Sequence, residues 1–180
     1  MSPPMPCPES LMPMLCRWSR IIVGLEGEPV ESLPDLGIDL LTAGFDTPAI
    51  MALAVCDPSE YPDDLRRAAW RAFASLGLPG GENRQFHLLV AIRSVATHIV
   101  DGTLPAEKGL DLVVGMWVTA RYPELLSEWM ILGEAIFLFR EGMGGLKPHQ
   151  LTEATIPETI RTLARKFLSE NPLLLHPPSS

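Results

Sequence analysis

The amino-acid sequence predicts an all-α fold, an irregular or orthogonal bundle of seven to eight helices in a single domain. Apolar residues recur at three- and four-residue spacings over most of the chain, which is typical of amphipathic helices. Glycine and proline clusters separate these stretches, and no segment alternates apolar and polar residues between hairpin turns. The chain has 180 residues, 47% of them hydrophobic. A chain of this size can bury roughly 70% of its unfolded surface in one core.

The first two helices are predicted over about 10–24 and from Ser32 to Gly44. In the first, a single apolar face consists of Leu11, Met14, Leu15, Trp18, Ile22 and Leu25. For the second, Ser32 and Asp35 predict a capping box, in which the serine oxygen accepts from a free backbone N–H group. Gly44 is expected to end this helix in a left-handed conformation.

The next two helices have proline near their first turn. Residues 46–48, Asp-Thr-Pro, predict the start of the third helix. Residues 57–60, Asp-Pro-Ser-Glu, repeat that signal for the fourth, which is expected to end at Gly77. The side chains expected to be buried in the fourth helix are Leu65, Ala69, Ala72, Phe73 and Leu76.

The remaining helices are predicted over about 82–101, 105–121 and 123–141, followed by a last one that begins near Thr155. The helix over 82–101 is apolar on two faces, which is typical of a helix inside a bundle. Thr155 and Glu158 predict a second capping box. The apolar stripe of the last helix is Ile156, Ile160, Leu163, Ala164, Phe167 and Leu168.

The chain is expected to be one helical domain over 10–170, between flexible tails over 1–9 and 171–180. The proline-rich N-terminus lacks the basic region of a secretory signal. The longest apolar tracts run about 11 residues, against the roughly 20 that span a membrane. Three cysteines without CxxC spacing favour reduced thiols. The sequence therefore predicts a cytoplasmic protein.

Negative charge is concentrated in one stretch. Between Ile21 and Leu65 the chain has ten carboxylates and no Lys or Arg, whereas the remainder has 12 acids and 14 bases. The formal charge of −8 is therefore a region of −10 attached to a remainder of +2. Such a block repels phosphates and anionic lipid and attracts basic protein surfaces. It predicts a basic protein partner and argues against binding to nucleic acid or membrane.

About half of these acids have a local explanation, because carboxylates at helix N-termini complement the helix dipole and cap free N–H groups. These are Asp35, Asp46, Asp57, Glu60 and Asp63. The other five remain for a partner, and we predict that they form an acidic binding face. They are Glu26, Glu28, Glu31, Asp39 and Asp64.

The residues at the starts and ends of the predicted helices resemble those of a known group of proteins. The sequence reads AGFDTPAI over 43–50 and LA over 53–54, and its next helix ends in LGL over 76–78. In this pattern residues 40–110 resemble a group of small all-helical bacterial proteins. The resemblance implies a helical fold and supplies no site residues, activity or cofactor.

Histidine is the first residue type to consider for catalysis or metal binding. His87 and His98 are eleven residues apart and share a helix face, but the helical rise separates them by about 16 Å, too far to share a metal. His98 and Asp101, at i and i+3, could form a ligand pair or an oriented base. A histidine at a helix C-terminus that interacts with the dipole is the simpler interpretation.

Other candidate groups also favour a structural interpretation. Cys56 precedes two acids, which oppose the low pKa that a catalytic thiol needs. Arg66, Arg67 and Arg71 surround Trp70 in a basic cluster that could contact nucleic acid. The adjacent acids at 63–64 make pairing within the helix the expected arrangement.

The sequence predicts no catalytic residue, no metal-ligating set and no cofactor. Asp35 and Asp39 share a helix face, but no EF-hand or phosphate-loop spacing accompanies them. The leading hypothesis is a non-enzymatic protein-binding module whose acidic N-terminal face masks a basic partner, as an immunity or antitoxin-like protein does. The first alternative is a helical assembly subunit or adaptor that binds through apolar surface. The second is a divalent-metal-dependent enzyme that uses His98, Asp101 and the acids of the second helix.

Overall fold

The structure is a computed structural model, and it describes residues 5–6, 8–23, 29–78, 83–120, 124–143 and 151–175. Within these ranges the chain forms eight α-helices, which confirms the predicted all-α class. The only strands described are two residues long, β1 (Met5–Pro6) and β2 (Leu174–Leu175), paired antiparallel. None of the described helices is long and apolar enough to cross a lipid bilayer.

The helices follow the predicted order, and most ends differ from the predicted ones by a few residues. They are α1 (Met12–Val23), α2 (Leu33–Thr42), α3 (Pro48–Ala54), α4 (Pro62–Ala74), α5 (Arg84–Val100), α6 (Ala106–Thr119), α7 (Ser127–Arg140) and α8 (Ile156–Glu170). Short 3-10 turns directly precede α1, α2 and α7, and these are Glu9–Leu11, Val30–Ser32 and Glu124–Leu126.

The chain divides into two compact units. Unit 1 contains residues 1–90 and 173–180, and unit 2 contains residues 91–172. Helices α1 to α4 therefore belong to unit 1, and α6 to α8 belong to unit 2. Helix α5 contributes its residues 84–90 to unit 1 and its residues 91–100 to unit 2.

Unit 1 has a continuous apolar core. Trp18 of α1 stacks on Phe73 of α4, with ring centroids 5.6 Å apart and an interplanar angle of 3°. Helices α2 and α3 cross closely at Gly37, where an added Cβ would be 2.6 Å from the backbone nitrogen of Ala54. A side chain at that position would force the two backbones apart. Other large side chains fully buried in this core are Leu11, Leu15, Leu33, Leu36, Leu40, Ile50, Leu53 and Leu65.

Unit 2 has its own buried apolar residues. Trp129 of α7 meets Phe167 of α8 edge to face, with centroids 6.0 Å apart. Arg93 of α5 donates through Nη1 to the carbonyl oxygens of Leu168, at 2.9 Å, and Asn171, so a cation satisfies carbonyl groups at the C-terminus of α8. The buried apolar residues of this unit include Ile92, Ile99, Leu110, Val113, Met116, Leu126, Ile136, Ile156 and Ile160.

Gly44 has the predicted left-handed backbone, and the glycines that follow α4 and α5 also have positive φ angles. The φ angles are +90° at Gly44, +77° at Gly77 and +81° at Gly102. After Gly44, the backbone N–H of Phe45 donates to the carbonyl oxygen of Leu40 at 3.0 Å. This bond satisfies a carbonyl group at the end of α2 and reverses the chain toward α3.

Both predicted capping boxes are wrong. Ser32 Oγ donates to the carbonyl oxygen of Pro29 at 2.7 Å and makes no capping bond to α2. Thr155 Oγ1 instead accepts from the backbone N–H of Thr152 at 2.9 Å, and its side chain does not cap α8. A capping side chain needs an extended backbone, whereas ψ is 0° at Ser32 and −19° at Thr155. The turns before these helices therefore prevent the cap.

The start of α4 also differs from the prediction. Residues 57–60 form a turn in which Asp57 Oδ1 accepts from the backbone N–H and the hydroxyl of Ser59, both at 2.8 Å. Glu60 Oε1 accepts from the backbone N–H of Asp57 at 3.2 Å. Because these bonds are made within the turn, the helix begins later, with Pro62 in its first turn.

The two short strands lie inside the segments predicted as tails, 1–9 and 171–180. Met5 pairs with Leu175, and Pro6 pairs with Leu174. Next to β2, Leu173 is buried, at 8% exposed, in the core of unit 1.

Candidate functional site

The described acids of the block between Ile21 and Leu65 are all exposed on unit 1. They lie on the turn before α2, on α2, in the α2–α3 and α3–α4 connections, and at the start of α4. Glu26 and Glu28 of the predicted binding face fall outside the described residues. The eight described acids are Glu31, Asp35, Asp39, Asp46, Asp57, Glu60, Asp63 and Asp64.

Three of these acids form ion pairs, which confirms the pairing predicted within α4. The pairs are Arg17–Asp39 at 3.1 Å, Arg66–Asp63 at 3.0 Å and Arg67–Asp64 at 2.9 Å. Asp39 and Asp64, which the sequence assigned to a partner, therefore each have an arginine neighbour. Exposed pairs of this kind are worth about 0–1 kcal/mol, so a partner's cation can replace the arginine at low cost.

Three acids of the stretch lie apart from the arginines of the described residues. Glu31, Asp35 and Asp46 are exposed and have no ion pair with another described residue. Hydrogen bonds from the backbone N–H and the hydroxyl of Ser59 lower the pKa of Asp57, which keeps this carboxyl ionised as well. The acid-only stretch therefore has several carboxylates that no arginine among the described residues neutralises.

Exposed apolar side chains lie at the crossing of α2 and α3. Ile38 is 51% exposed, Met51 47% and Val55 82%. Ile38 directly follows Gly37 and Val55 directly follows Ala54, the two residues whose backbones meet at the crossing. Met51 lies one helical turn before Val55. We call these three residues the α2–α3 apolar patch.

A small cleft separates α3 from α4. It has a volume of about 280 Å³, and its lining includes Ala52, Cys56, Glu60, Asp64, Arg67 and Arg71. Burial, and secondly the nearby Glu60 carboxylate, raises the pKa of the Cys56 thiol. The raised pKa agrees with the prediction that the surroundings of Cys56 oppose formation of a thiolate nucleophile.

The sequence did not identify the buried polar pair of unit 1. Ser19 on α1 and His87 on α5 are 0% and 1% exposed, and Ser19 Oγ lies 3.0 Å from His87 Nδ1. The ring packs edge to face against Trp18, with centroids 5.7 Å apart. Burial lowers the pKa of His87 to about 4, so the neutral imidazole is the form present at neutral pH.

The residues of the metal hypothesis have other interactions. Asp101 Oδ1 accepts from the backbone N–H of Thr103 at 2.9 Å and from its hydroxyl at 2.6 Å. These two bonds, and to a lesser extent His98, lower the pKa of Asp101. Among the described residues, no group of three or more His, Cys, Asp and Glu is arranged to hold a metal ion.

Unit 2 carries an open apolar groove between α7 and α8. Its volume is about 670 Å³, and Leu132, Ala135 and Leu163 are among its lining residues. Ile131, 60% exposed, stands at the same groove. An ion pair of 2.6 Å between a lysine on α8 and a glutamate on α7 joins the two helices, and its partners are Lys166 and Glu128.

Comparison with known proteins finds no matching family model, no matching curated protein and no matching solved structure. The resemblance of residues 40–110 to small helical bacterial proteins therefore rests on the helix punctuation alone.

The α2–α3 apolar patch was not predicted from the sequence, although a signal for it is present. Met51 and Val55 are spaced i, i+4, and this stripe differs from the buried stripe of Ile50 and Leu53. A second apolar stripe on a short helix indicates either a second buried face or an exposed apolar surface. The burial pattern of α3 shows that it is exposed.

Proposed function

We propose that this protein is a non-enzymatic binding module that docks the acidic surface of unit 1 onto a basic protein partner. The observation that carries the proposal is the exposure of every described acid in a stretch of 45 residues that has no Lys or Arg. A surface of one sign steers an oppositely charged protein toward it and accelerates association.

The division of charge between the units supports the same assignment. Unit 1 has 12 acids and six bases, whereas unit 2 has ten acids and eight bases. Masking of a cationic surface, as an immunity or antitoxin-like protein does, is one form of this function. We take the cytoplasm as its compartment, since the Cys56 side chain is a thiol outside any disulfide, which a reducing compartment maintains.

The first test compares two variants that remove the same charge from different places. One replaces unpaired acids of the acidic stretch, Glu31→Gln, Asp35→Asn and Asp46→Asn. The control replaces three exposed acids of unit 2, Asp111→Asn, Glu124→Gln and Glu134→Gln. Binding of a fluorescent 20-residue Lys/Arg-rich peptide is measured by anisotropy from 20 to 300 mM salt.

We expect the unmodified protein to bind the peptide at low salt and to release it as ionic strength rises. The unit 1 variant should lose at least fivefold in affinity, and the unit 2 control should lose less than twofold. Equal losses in the two variants would mean that only net charge matters. That result, or binding that ignores salt, would contradict the proposal.

A second candidate function is that of a helical assembly subunit. It is supported by the apolar groove between α7 and α8, with exposed Ile131, and by Phe137, which is 58% exposed. Trp18 and Trp129, each 1% exposed, are core residues and do not contribute to such an interface. Light scattering of the purified protein tests this function, because a stable oligomer that the variant Ile131→Glu dissociates would favour it over a monomeric acidic mask.

A further inference from the structure

The α2–α3 apolar patch carries an inference about the kind of partner. Ile38, Met51 and Val55 are exposed at one helix crossing, where the backbones of α2 and α3 are in contact at Gly37 and Ala54. Large exposed apolar side chains elsewhere in unit 1 are limited, among the described residues, to Tyr61. Apolar clusters of this kind on a polar surface mark interaction sites.

Helix geometry places acids on both sides of the patch. On α2, steps of about 100° per residue put Asp35 and Asp39 beyond Ile38, on the side turned away from Gly37. On the other side, Ala52 of α3 borders the α3–α4 cleft, which Glu60 and Asp64 also line. The patch therefore has an acidic edge on α2, whereas the cleft on its other side is lined by two acids and two arginines.

Arginines balance the charge of the α2 edge in part and that of the cleft edge in full. Arg17 pairs with Asp39, and Arg67 pairs with Asp64, while Arg71 also lines the cleft. Asp35 on the α2 edge is exposed and has no ion pair with another described residue. The arrangement matches the anatomy of protein interfaces, in which a few desolvated apolar residues supply affinity and a polar rim supplies orientation.

We propose that the occupant of this patch is a basic amphipathic helix of the partner protein. Its apolar stripe packs over Ile38, Met51 and Val55, and the Lys and Arg side chains on one flank meet Asp35 and Asp39 on the α2 edge. A helix suits the site because apolar residues at i, i+3/i+4 and i+7 form a stripe that covers a seam between two helices. The inference rests on the proposed function and specifies that charge alone does not select the partner.

The test uses three designed 18-residue peptides and three forms of the full chain. One peptide is a Leu/Lys amphipathic helix, the second has the same composition in scrambled order, and the third has Glu in place of Lys. The patch variant is Ile38→Ser with Val55→Ser, and the control is Leu112→Ser with Met143→Ser in unit 2, outside the α7–α8 groove. All four positions are at least 44% exposed, so both variants should retain the thermal midpoint of the parent.

We expect the Leu/Lys helix to bind at least tenfold more tightly than the scrambled peptide and the Leu/Glu helix not to bind. The patch variant should lose about tenfold in affinity for the Leu/Lys helix, and the control less than twofold. Equal binding of the scrambled peptide, or no effect of the patch variant, overturns the inference and leaves the proposed function standing. If neither basic peptide binds at 20 mM salt, both fail. Light scattering that shows a dimer lost in the patch variant assigns the patch to a second copy and also overturns the inference.

Discussion

His87 is the buried titratable residue of unit 1, and its surroundings determine how the protein responds to acid. The ring lies among Trp18, Phe86 and Ser19, and its Nε2 atom has no hydrogen-bond partner among the described residues. In a charged imidazolium the Nδ1–H group could donate to the Ser19 hydroxyl, but the Nε2–H group would lose its hydration without gaining an acceptor. The folded protein therefore holds His87 neutral.

We predict that the free energy of unfolding falls as the pH is lowered from 6.5 to 4. The pKa of His87 drops from 6.5 to about 4 on folding, so the unfolded chain binds a proton first. Above pH 6.5 the imidazole is neutral in both states and does not change the free energy of unfolding. As the pH falls toward 4, the unfolded chain is protonated first, and the free energy of unfolding decreases by about 3 kcal/mol. Urea unfolding at several pH values measures it. The variant His87→Gln should lose most of this slope and His98→Gln should keep it; a slope unchanged in His87→Gln would contradict the assignment.

Gly37 allows a second prediction at the residue scale. The substitution Gly37→Ala places a Cβ 2.6 Å from the nitrogen and 2.8 Å from the Cα of Ala54, so the α2 and α3 backbones must separate. We expect a destabilisation of about 1–3 kcal/mol.

The matched control is Gly115→Ala on α6, where an added Cβ meets nothing within 4 Å. That change should stabilise by about 0.5–1 kcal/mol through helix propensity. Urea unfolding that gives the same sign for both variants would contradict the close crossing.

At the scale of single helices, the C-terminus of α8 depends on one side chain from another helix. The Nη1 atom of Arg93 donates to the carbonyl oxygens of Leu168 and Asn171, and Asn171 Nδ2 donates to that of Phe167 at 3.0 Å. These bonds satisfy carbonyl groups that an isolated helix would leave to water. They also fix α8 to α5 within unit 2.

We predict that Arg93→Met destabilises unit 2 by about 1–3 kcal/mol, because partly buried carbonyl groups lose a charged donor. Amide hydrogen exchange should show the largest loss of protection in the last turn of α8. The matched control is Arg161→Met, which removes an exposed pair with Glu158 at 3.4 Å and should cost less than about 1 kcal/mol. Equal exchange in the two variants would show that the α8 terminus does not need Arg93.

For the whole molecule, the uneven placement of charge and of buried polar groups makes the two units different. Most of the net negative charge and the Ser19–His87 pair belong to unit 1. In unit 2, Arg140 pairs with Glu107 at 2.8 Å and with Glu153 at 2.9 Å, so these three side chains form an ion-pair network. Acid should therefore affect unit 1 first.

We predict that hydrogen exchange at pH 4.5, compared with pH 7 after correction for intrinsic rates, increases in α1 and α4 before it increases in α6, α7 and α8. The physical reason is that protonation of His87 destabilises only the core that contains it. The variant His87→Gln serves as the reference, since its two units should respond alike. Simultaneous loss of protection in both units of the parent protein would contradict independent stabilities.

Much of the fold could be predicted from local patterns, because helix stops and apolar periodicity act within a few residues. Gly44, Gly77 and Gly102 all end helices as expected. The capping boxes at Ser32 and Thr155 failed, since a cap also requires an extended backbone that the preceding turn determines. The α4 start failed for the same reason, because Asp57 and Ser59 bond to each other in their own turn.

The sequence by itself determined the helical class, the order of the helices and the acid-only stretch, since these depend on composition and on spacing along the chain. Tertiary structure alone decided which acids form ion pairs between helices, because Asp39 pairs with Arg17 on another helix, 22 residues away. It likewise decided the α2–α3 apolar patch, since the two helices that carry it come together only where Gly37 lets their backbones touch. Contacts between helices cannot be read from periodicity, because each helix's pattern specifies a buried face and not the surface that covers it.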